Sequence, residues 1–366
     1  MNWNLKPSDW IFPSASEANP FSTATFLNIL QASGSTVAET GWEALHASHR
    51  DGLIMPLYRK NHSYGEYVFD WSWANAYAQH GLDYYPKLVS AIPYTPSVGP
   101  RVLGNWQRQH LEEWATQLPE LCLQTGSSGW HLLFPEADLL AAFDPAQFIV
   151  RQDCQFHWHN RGYRDFQDFL DVMTARRRKT VRKERQKVID QGITMRMVEG
   201  NDLTVEELRQ FYLFYHTTYL KRGRTGYLTE DFFVQLHQRM AAQTVFALAY
   251  RGKNLLGGAL FFKSAERLYG RYWGAIEDID CLHFETCYYQ GIEYAIAHGL
   301  QVFDPGTQGE HKIPRGFEPI STYSVHWLAQ RDFHAAIAHH VRQERTQVER
   351  YMAEAKTLLP FKQSES

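Results

Sequence analysis

An α+β fold, built twice in one chain, is what this 366-residue sequence predicts. Three observations lead there. The length suits two domains at about 150 residues each. The second half spells out helices, a three-strand antiparallel meander, a further helix, a strand and a loop rich in glycine and proline. The first half follows a similar rhythm with weaker periodicity. Hydrophobic residues make up 44% of the chain, enough for a sizeable core.

In the first half, Asn19 and Pro20 suit the cap and first turn of a helix running to about Gln31. Glu43 to Ser48 and Leu53 to Tyr58 read as strands joined by the Arg50-Asp51-Gly52 turn. An aromatic loop, 61–73, leads into helical spacing from Trp71 to Gln79, which Gly81 ends. A strand over 87–93, a helix over 104–117, a short strand over 121–124, a helix over 136–142 and a strand over 148–159 complete this half. The second half opens with a long helix from Phe166 to Gln191, with a break near Met173. A strand over 193–198, helices over 204–221 and 229–241, and the meander 245–250, 255–263 and 268–275 follow. The next helix, from Phe284 to His298, carries Phe284, Cys287, Tyr288, Gly291, Ile292, Ala295 and Ile296 on one face, and Gly299 stops it. Strands over 301–303 and 322–329 flank the loop, and a last helix spans 333–358.

The formal net charge is −3, which gives no global basic excess for nucleic acid. Four cysteines without a Cys-x-x-Cys pair read as reduced thiols, fitting a cytoplasmic protein. The first twenty residues lack the continuous apolar segment of a secretory leader, and no run reaches the ~18 apolar residues of a membrane span.

Chemistry concentrates in Asp304-Pro-Gly-Thr-Gln-Gly-Glu-His-Lys-Ile-Pro-Arg-Gly-Phe317. Its glycines and prolines shape a loop after a buried strand, carrying a carboxylate, an imidazole and two fixed cations. Glu310 and His311 are the candidate bases, because general base catalysis needs a group titrating near the working pH. Gln308, Lys312 and Arg315 are candidate substrate-binding residues. Arg271 and Tyr272, on the third meander strand, should border the same cleft and bind substrate, as should His283 and Tyr289 at the start of the following helix. Glu285 is a third catalytic candidate, although the helix N-terminus stabilises its anion and limits its basicity.

The run Arg176 to Lys187 holds eight cations and one acid. On a helix, Arg178, Arg182 and Arg185 share one side, and Arg176, Lys179, Lys183 and Lys187 another. Such a surface suits phosphate-bearing ligands, with Arg178, Lys179, Arg182 and Lys183 as the candidate contacts. The loop 95–103 occupies a strand-to-helix position suited to pyrophosphate, with Gly99 and Arg101 as candidates, although Pro96 and Pro100 lack amide protons. The matching segment of the second half, 273–280, is acidic, which should repel pyrophosphate. His157 and His159 would share one strand face, yet no third ligand accompanies them, and no metal is expected. Hydrolase elbows, Walker loops and His-Glu-x-x-His are absent from the sequence.

Several segments resemble one bacterial family: His62-Ser-Tyr-Gly-Glu-Tyr-Val-Phe-Asp70, Tyr85-Pro-Lys-Leu88, Thr95-Pro-Ser-Val-Gly-Pro-Arg101, Arg222-Gly-Arg-Thr225, Tyr269-Gly-Arg-Tyr-Trp-Gly274, His283-Phe-Glu285 and Gln308-Gly-Glu-His-Lys312. They are similar to the FemAB-like peptidoglycan biosynthesis/recognition group of GNAT-superfamily N-acyltransferases. The resemblance runs from about Asn19 to Lys362. It implies tandem GNAT-like domains, 1–160 and 161–366, with mixed, largely antiparallel sheets flanked by helices. The second domain would include a basic linker helix at 174–191 and the C-terminal helix. It also implies transfer of an activated acyl or aminoacyl group to an amine on a cell-wall precursor or other small molecule. No cofactor would be tightly bound. Acyl-CoA, an acyl carrier protein or aminoacyl-tRNA would serve as donor. The alternative is a non-catalytic protein that binds cell-wall precursors or phosphate ligands.

Overall fold

The computed structural model of the chain describes residues 2–7, 10–13, 19–221, 223–307 and 309–362. Its strands, in chain order, are β1 (Trp3–Asn4), β2 (Trp42–Ala44), β3 (Ala47–His49), β4 (Leu53–Met55), β5 (Tyr58–Lys60), β6 (Lys87–Ser90), β7 (Gly129–Leu133), β8 (Ile149–His159), β9 (Ile193–Glu199), β10 (Thr244–Arg251), β11 (Asn254–Lys263), β12 (Arg267–Ala275), β13 (Val302–Asp304) and β14 (Glu318–Leu328). The fold is α+β. Two compact units divide the chain. The first is Met1–Cys154 with Ser321–Arg350, the second Gln155–Ile320 with Tyr351–Ser366. The expected single boundary at 160 is therefore corrected. Most of β14 and of the Arg331–Thr357 helix group with the first unit. The reason is pairing: Ser324 to Leu328 lie antiparallel to β7.

In the first unit, β1, β3 and β4 form a small sheet. A second sheet runs β2, β5, β6, β7 and the 321–328 part of β14, with β6 and β7 parallel and the other pairs antiparallel. The first helix begins at Ala24 rather than Pro20. Thr23 caps it by accepting from the Phe26 amide, while Asn19 accepts from Phe21 in the preceding turn. The short strand expected over 121–124 is the last turn of the Arg108–Thr125 helix, which continues through Pro119. Burial of Leu111, Trp114, Leu118, Leu121 and Cys122 at helical spacing against Trp130, Leu132 and Phe148 outweighs the proline penalty.

Beneath this sheet lies a buried charge cluster. Lys87 Nζ donates to Ser63 Oγ at 2.8 Å, Glu66 Oε2 at 2.7 Å and Asp70 Oδ2 at 2.5 Å, and Tyr84 donates to the same Asp70 oxygen at 2.6 Å. Burial pushes Glu66 up to about 7 despite the Lys87 ammonium. Burial also pushes Asp70 upward, but Lys87 and His131 outweigh it and hold the carboxyl at about 2. Taking away the ammonium leaves two uncompensated carboxylates.

The second unit carries a sheet ordered β9, β10, β11, β12, β13 and the 155–159 part of β8. Its pairs are antiparallel except β12 with β13. The long helix expected over 166–191 is two, Phe166–Asp171 and Ala175–Asp190, parted near Met173 as the sequence suggests. The helical segment Leu282–Ala297 packs on β13 through Gly291, where a Cβ would stand 2.5 Å from the Phe303 ring. Phe303 in turn touches Phe261 and Phe317. The four cysteines are free thiols. Among the described residues, no helix is long and apolar enough to cross a membrane.

Replacing Lys87 by Met should cost about 3–5 kcal/mol of stability near pH 8, the range for breaking a buried ion pair from one side. The loss should shrink on acidification, because the stranded carboxyls can then protonate. Urea denaturation at pH 8 and pH 5 checks this; equal losses at both would contradict it.

Candidate active site

The site grows from a mismatch between two neighbouring strands of the second unit. β12 pairs in parallel with β13 only from Arg267 to Tyr269. Pro305, which has no amide proton to extend a ladder, then ends β13, while β12 continues to Ala275. On its other side, β12 carries a bulge. Leu260 faces Tyr272 and Phe261 faces Gly270, so Arg271 is the extra residue. Bulges bend a strand and re-aim a side chain, and they recur next to active sites. A cleft of about 120 Å³ opens here, bordered by Phe261, Arg271, Trp273, His283, Tyr288 and Pro305 among others.

Arg271 lies against Asp304, with Nη2 2.8 Å from Oδ2 and Nη1 donating to the Gly270 carbonyl at 2.8 Å. Burial alone would raise the Asp304 carboxyl, but Arg271, His157 and the Gly306 amide hold it well below the usual range. His157 Nε2 stands 3.7 Å from Asp304 Oδ1, and burial pushes this imidazole down to about 4. His157 is thus a neutral neighbour of the pair. His159 is only half-buried.

The wall opposite comes from the helical segment after Cys281, a non-glycine residue at φ 65°. Its middle, Glu285–Tyr289, is one π-turn, a device frequent at functional sites. Cys287 and Tyr288 from this turn, with His283 before it, border the cleft. The Tyr288 hydroxyl is 2.7 Å from His311 Nε2. Burial raises the Tyr288 phenol above its ordinary value. Partial burial and the charges of Lys312 and Arg315 lower the His311 imidazole below its own. A neutral imidazole therefore meets a protonated phenol at the cleft. Burial likewise raises the Cys287 thiol, so a thiolate nucleophile does not form there near neutrality.

The loop residues separate into different fates. Glu310–Arg315 forms a 3₁₀ turn. Glu310 is exposed on it and does not border the cleft; His311 is exposed as well and reaches the cleft through its hydrogen bond to Tyr288, a link Glu310 does not share. Lys312 is buried, its Nζ 2.6 Å from the Gly306 carbonyl. Arg315 donates to Glu184, to the Tyr289 hydroxyl and to the His311 carbonyl, and it stacks over Phe284. Tyr289 also donates to Glu184. Arg315 and Tyr289 are thus braces behind the wall, which corrects their expected substrate contact. Glu285 is corrected too. Both of its oxygens accept from Arg185, at 3.0 and 3.1 Å, Gln290 donates to it at 2.7 Å, and it does not border the cleft, so it serves as an anchor rather than a base. Tyr272 and His283 do border the cleft. Gln308 and Arg222 lie outside the described residues.

The phosphate candidates divide likewise. Arg101 is buried and spends its guanidinium on the carbonyls of Leu133, Pro100 and Ser97. It clamps its own loop, and a Cβ at Gly99 would strike Asn19. Neither is free to hold a ligand, which corrects that expectation. On the Ala175–Asp190 helix, Arg178 turns toward the carbonyls of Leu170 and Met173, Arg185 bridges Glu285 and Glu293, and Lys187 pairs with Asp280. Arg176, Lys179 and Lys183 remain exposed and, among the described residues, without an acidic partner; Arg182 is exposed beside Gln167. The acidic 273–280 segment is charge-balanced rather than repulsive: Glu277 meets Arg251, Asp278 meets Lys221 and Asp280 meets Lys187. In the first unit, His49, Asp51 and His110 come within metal-ligand spacing. There the Asp51 and Gln107 amides already donate to the two Nδ1 atoms, and each Nε2 faces a carboxylate, so the imidazoles serve a hydrogen-bond network.

The FemAB-like family model, described as peptidoglycan biosynthesis/recognition, matches residues 3–363. The chain belongs to the FemAB-like family. Comparison with curated proteins gives no match. Among solved structures, FemX aligns with a TM-score of 0.51 at 12% identity, covering 86% of this chain and 94% of FemX. L-PGS from Bacillus licheniformis aligns at 0.50 and 11%, covering 87% and 94%. The C-terminal domain of a candidate lysylphosphatidylglycerol synthetase from Agrobacterium fabrum aligns at 0.52 and 9%, covering 86% and 95%. At these identities the likeness concerns the FemAB-like fold alone.

Because Glu285 is an anchor, Glu285→Gln should lower unfolding stability by about 1.5–3 kcal/mol, the value of a charged hydrogen bond. Urea denaturation measures it; an unchanged midpoint would contradict the anchoring role.

Proposed function

We propose that this protein transfers an activated acyl or aminoacyl group to an amine, and that the transfer takes place in the cleft beside the β12 bulge. The observation that carries the reading is the Tyr288–His311 hydrogen bond at the cleft wall. An amine attacking an ester or thioester carbonyl must lose a proton, and the departing oxygen or sulfur must gain one. A neutral imidazole linked to a protonated phenol suits both transfers: His311 takes a proton through Tyr288 and returns it as the leaving group departs. The raised Cys287 thiol favours direct attack by the amine over a covalent acyl-enzyme. Arg271, its charge tempered by Asp304, borders the cleft where the carbonyl oxygen would become negative.

The exposed cations Arg176, Lys179, Arg182 and Lys183 support a phosphate-bearing donor, with aminoacyl-tRNA the fullest match to a charged helical face. The family's link to peptidoglycan makes a cell-wall precursor amine the natural acceptor. A protein that only binds such precursors would have little use for an acid–base pair at its cleft.

Tyr288→Phe and His311→Ala should each lower kcat by about 10²–10⁴-fold, the usual contribution of acid–base catalysis. Steady-state kinetics with candidate donors and amines measure this; wild-type rates in both variants would remove the pair from the chemistry. Since His311 titrates below its ordinary value, the base is present in acid solution. The acid limb of kcat/KM should then fall below pH 6.5, and a limb above it would contradict the assignment. If four phosphates contact the basic face, tRNA affinity should drop about 50- to 150-fold between 50 and 200 mM salt. A salt-independent affinity in filter binding would exclude that donor surface.

A further inference from the structure

Lys312 is a buried cation that the transfer mechanism above does not use. It follows His311 directly in the chain. Its Nζ sits on the Gly306 carbonyl at 2.6 Å, and the Gly306 amide donates to Asp304 Oδ1 at 2.9 Å. Asp304 in turn holds Arg271 at the cleft. The Lys312 backbone closes the other side, its amide on the Gly309 carbonyl and its own carbonyl accepting from Phe317. One amine thus ties residue 312 to Gly306, which Asp304 holds in turn.

We propose that Lys312 is a positioning residue, whose amine on the Gly306 carbonyl fixes the turn that carries His311 to Tyr288. The proposal rests on the acyl-transfer reading for its catalytic consequence, although the clamp itself does not depend on it. The turn contains glycines at 306 and 309 with φ of 90° and 115°, conformations that few other residues adopt. A backbone this permissive does not hold a ring to a partner 2.7 Å away by itself; Arg315 restrains the turn at the His311 carbonyl, and the Lys312 tie restrains it on the Gly306 side. The groups facing Lys312 are Asp304, Arg271 and the Cys287 thiol. Those facing His311 are Lys312, Arg315, Tyr288 and the His283 ring.

The tie has an electrostatic corollary. Burial drives the Lys312 amine down to about 7, against the opposing pull of Asp304. An amine donates to a carbonyl in either protonation state, so the clamp persists on both sides of that pH. Below it Lys312 is charged, which is the range where His311 titrates. Its ammonium then resists protonation of the neighbouring imidazole.

The test compares wild type with Lys312→Met, a replacement of similar length without charge or hydrogen bond. If the clamp positions His311, kcat falls about 10²-fold, the cost of a displacement of roughly 1 Å, while KM for the donor changes little. The His311 imidazole, followed by NMR titration in the unliganded protein, should shift upward toward its ordinary value once the neighbouring charge is gone. Wild-type kcat together with an unmoved His311 titration would overturn the proposal. Should the variant fail to fold, a crystal structure of the wild type decides: Lys312 Nζ within hydrogen-bond distance of the Gly306 carbonyl supports the clamp, and an amine turned away from that carbonyl overturns the proposal. Absence of turnover in the wild-type protein itself would sink the acyl-transfer reading, while the His311 titration and the crystal structure would still judge the clamp.

Discussion

Arg271 and Asp304 form the contact on which the second unit's site depends. Asp304 is the last residue of β13 and Arg271 the extra residue of the β12 bulge, so their pair joins the two strands at the point where they part. Its side chains are almost wholly buried, 2% and 1% exposed. A buried ion pair seldom adds much net stability, because desolvation offsets the attraction, but removing one partner strands a charge. The pair is therefore better understood as a geometric constraint. It lets one strand end and its neighbour continue without collapse of the gap, and it tethers the Pro305–Gly306 turn that leads to His311.

The opposite wall is held by a second set of charges, most of them only partly buried. Arg185 ties the basic helix to Glu285 and Glu293, and Arg315 ties the 310–315 turn to Glu184 and Tyr289. These braces surround the π-turn that presents Cys287 and Tyr288. A π-turn leaves one residue out of the regular hydrogen-bond ladder, so its persistence needs support from outside the helix. The first unit places its own charges differently: Lys87, Glu66 and Asp70 are buried together, one ammonium between two carboxylates.

Much of this architecture was readable in the sequence. The meander 244–275 announced itself through short polar turns between apolar strands, and the helix over 282–297 through a one-sided apolar face. The Pro119 region misled, because the penalty of a proline is local whereas the burial of Leu118, Leu121 and Cys122 is tertiary. The loop from Asp304 was correctly marked as chemically dense, yet its spacing said nothing about direction. Lys312 and Arg315 turn inward to carbonyls and Glu184, and Glu310 turns outward. The eight-cation helix posed the same difficulty, since Arg185 and Lys187 have partners distant in sequence and Arg178 folds back on the carbonyls of Leu170 and Met173. The bulge at Arg271 left no mark at all, because a one-residue insertion is visible only against the register of β11. Asp304 was ambiguous: an aspartate before Pro-Gly suits a turn in which it accepts from the amide two residues on, as it does from Gly306, and its pairing with Arg271 left no mark in the spacing.

The central claim is that the amine meets the acyl carbon in the cleft between the β12 bulge and Tyr288. A crystal structure with a tetrahedral phosphonate analogue of the transfer intermediate tests it most directly. The account predicts the phosphonate in that cleft, with the Tyr288 hydroxyl within hydrogen-bond distance of it and His311 still on Tyr288. An analogue bound elsewhere, with the cleft unchanged and Tyr288 out of reach, would contradict it.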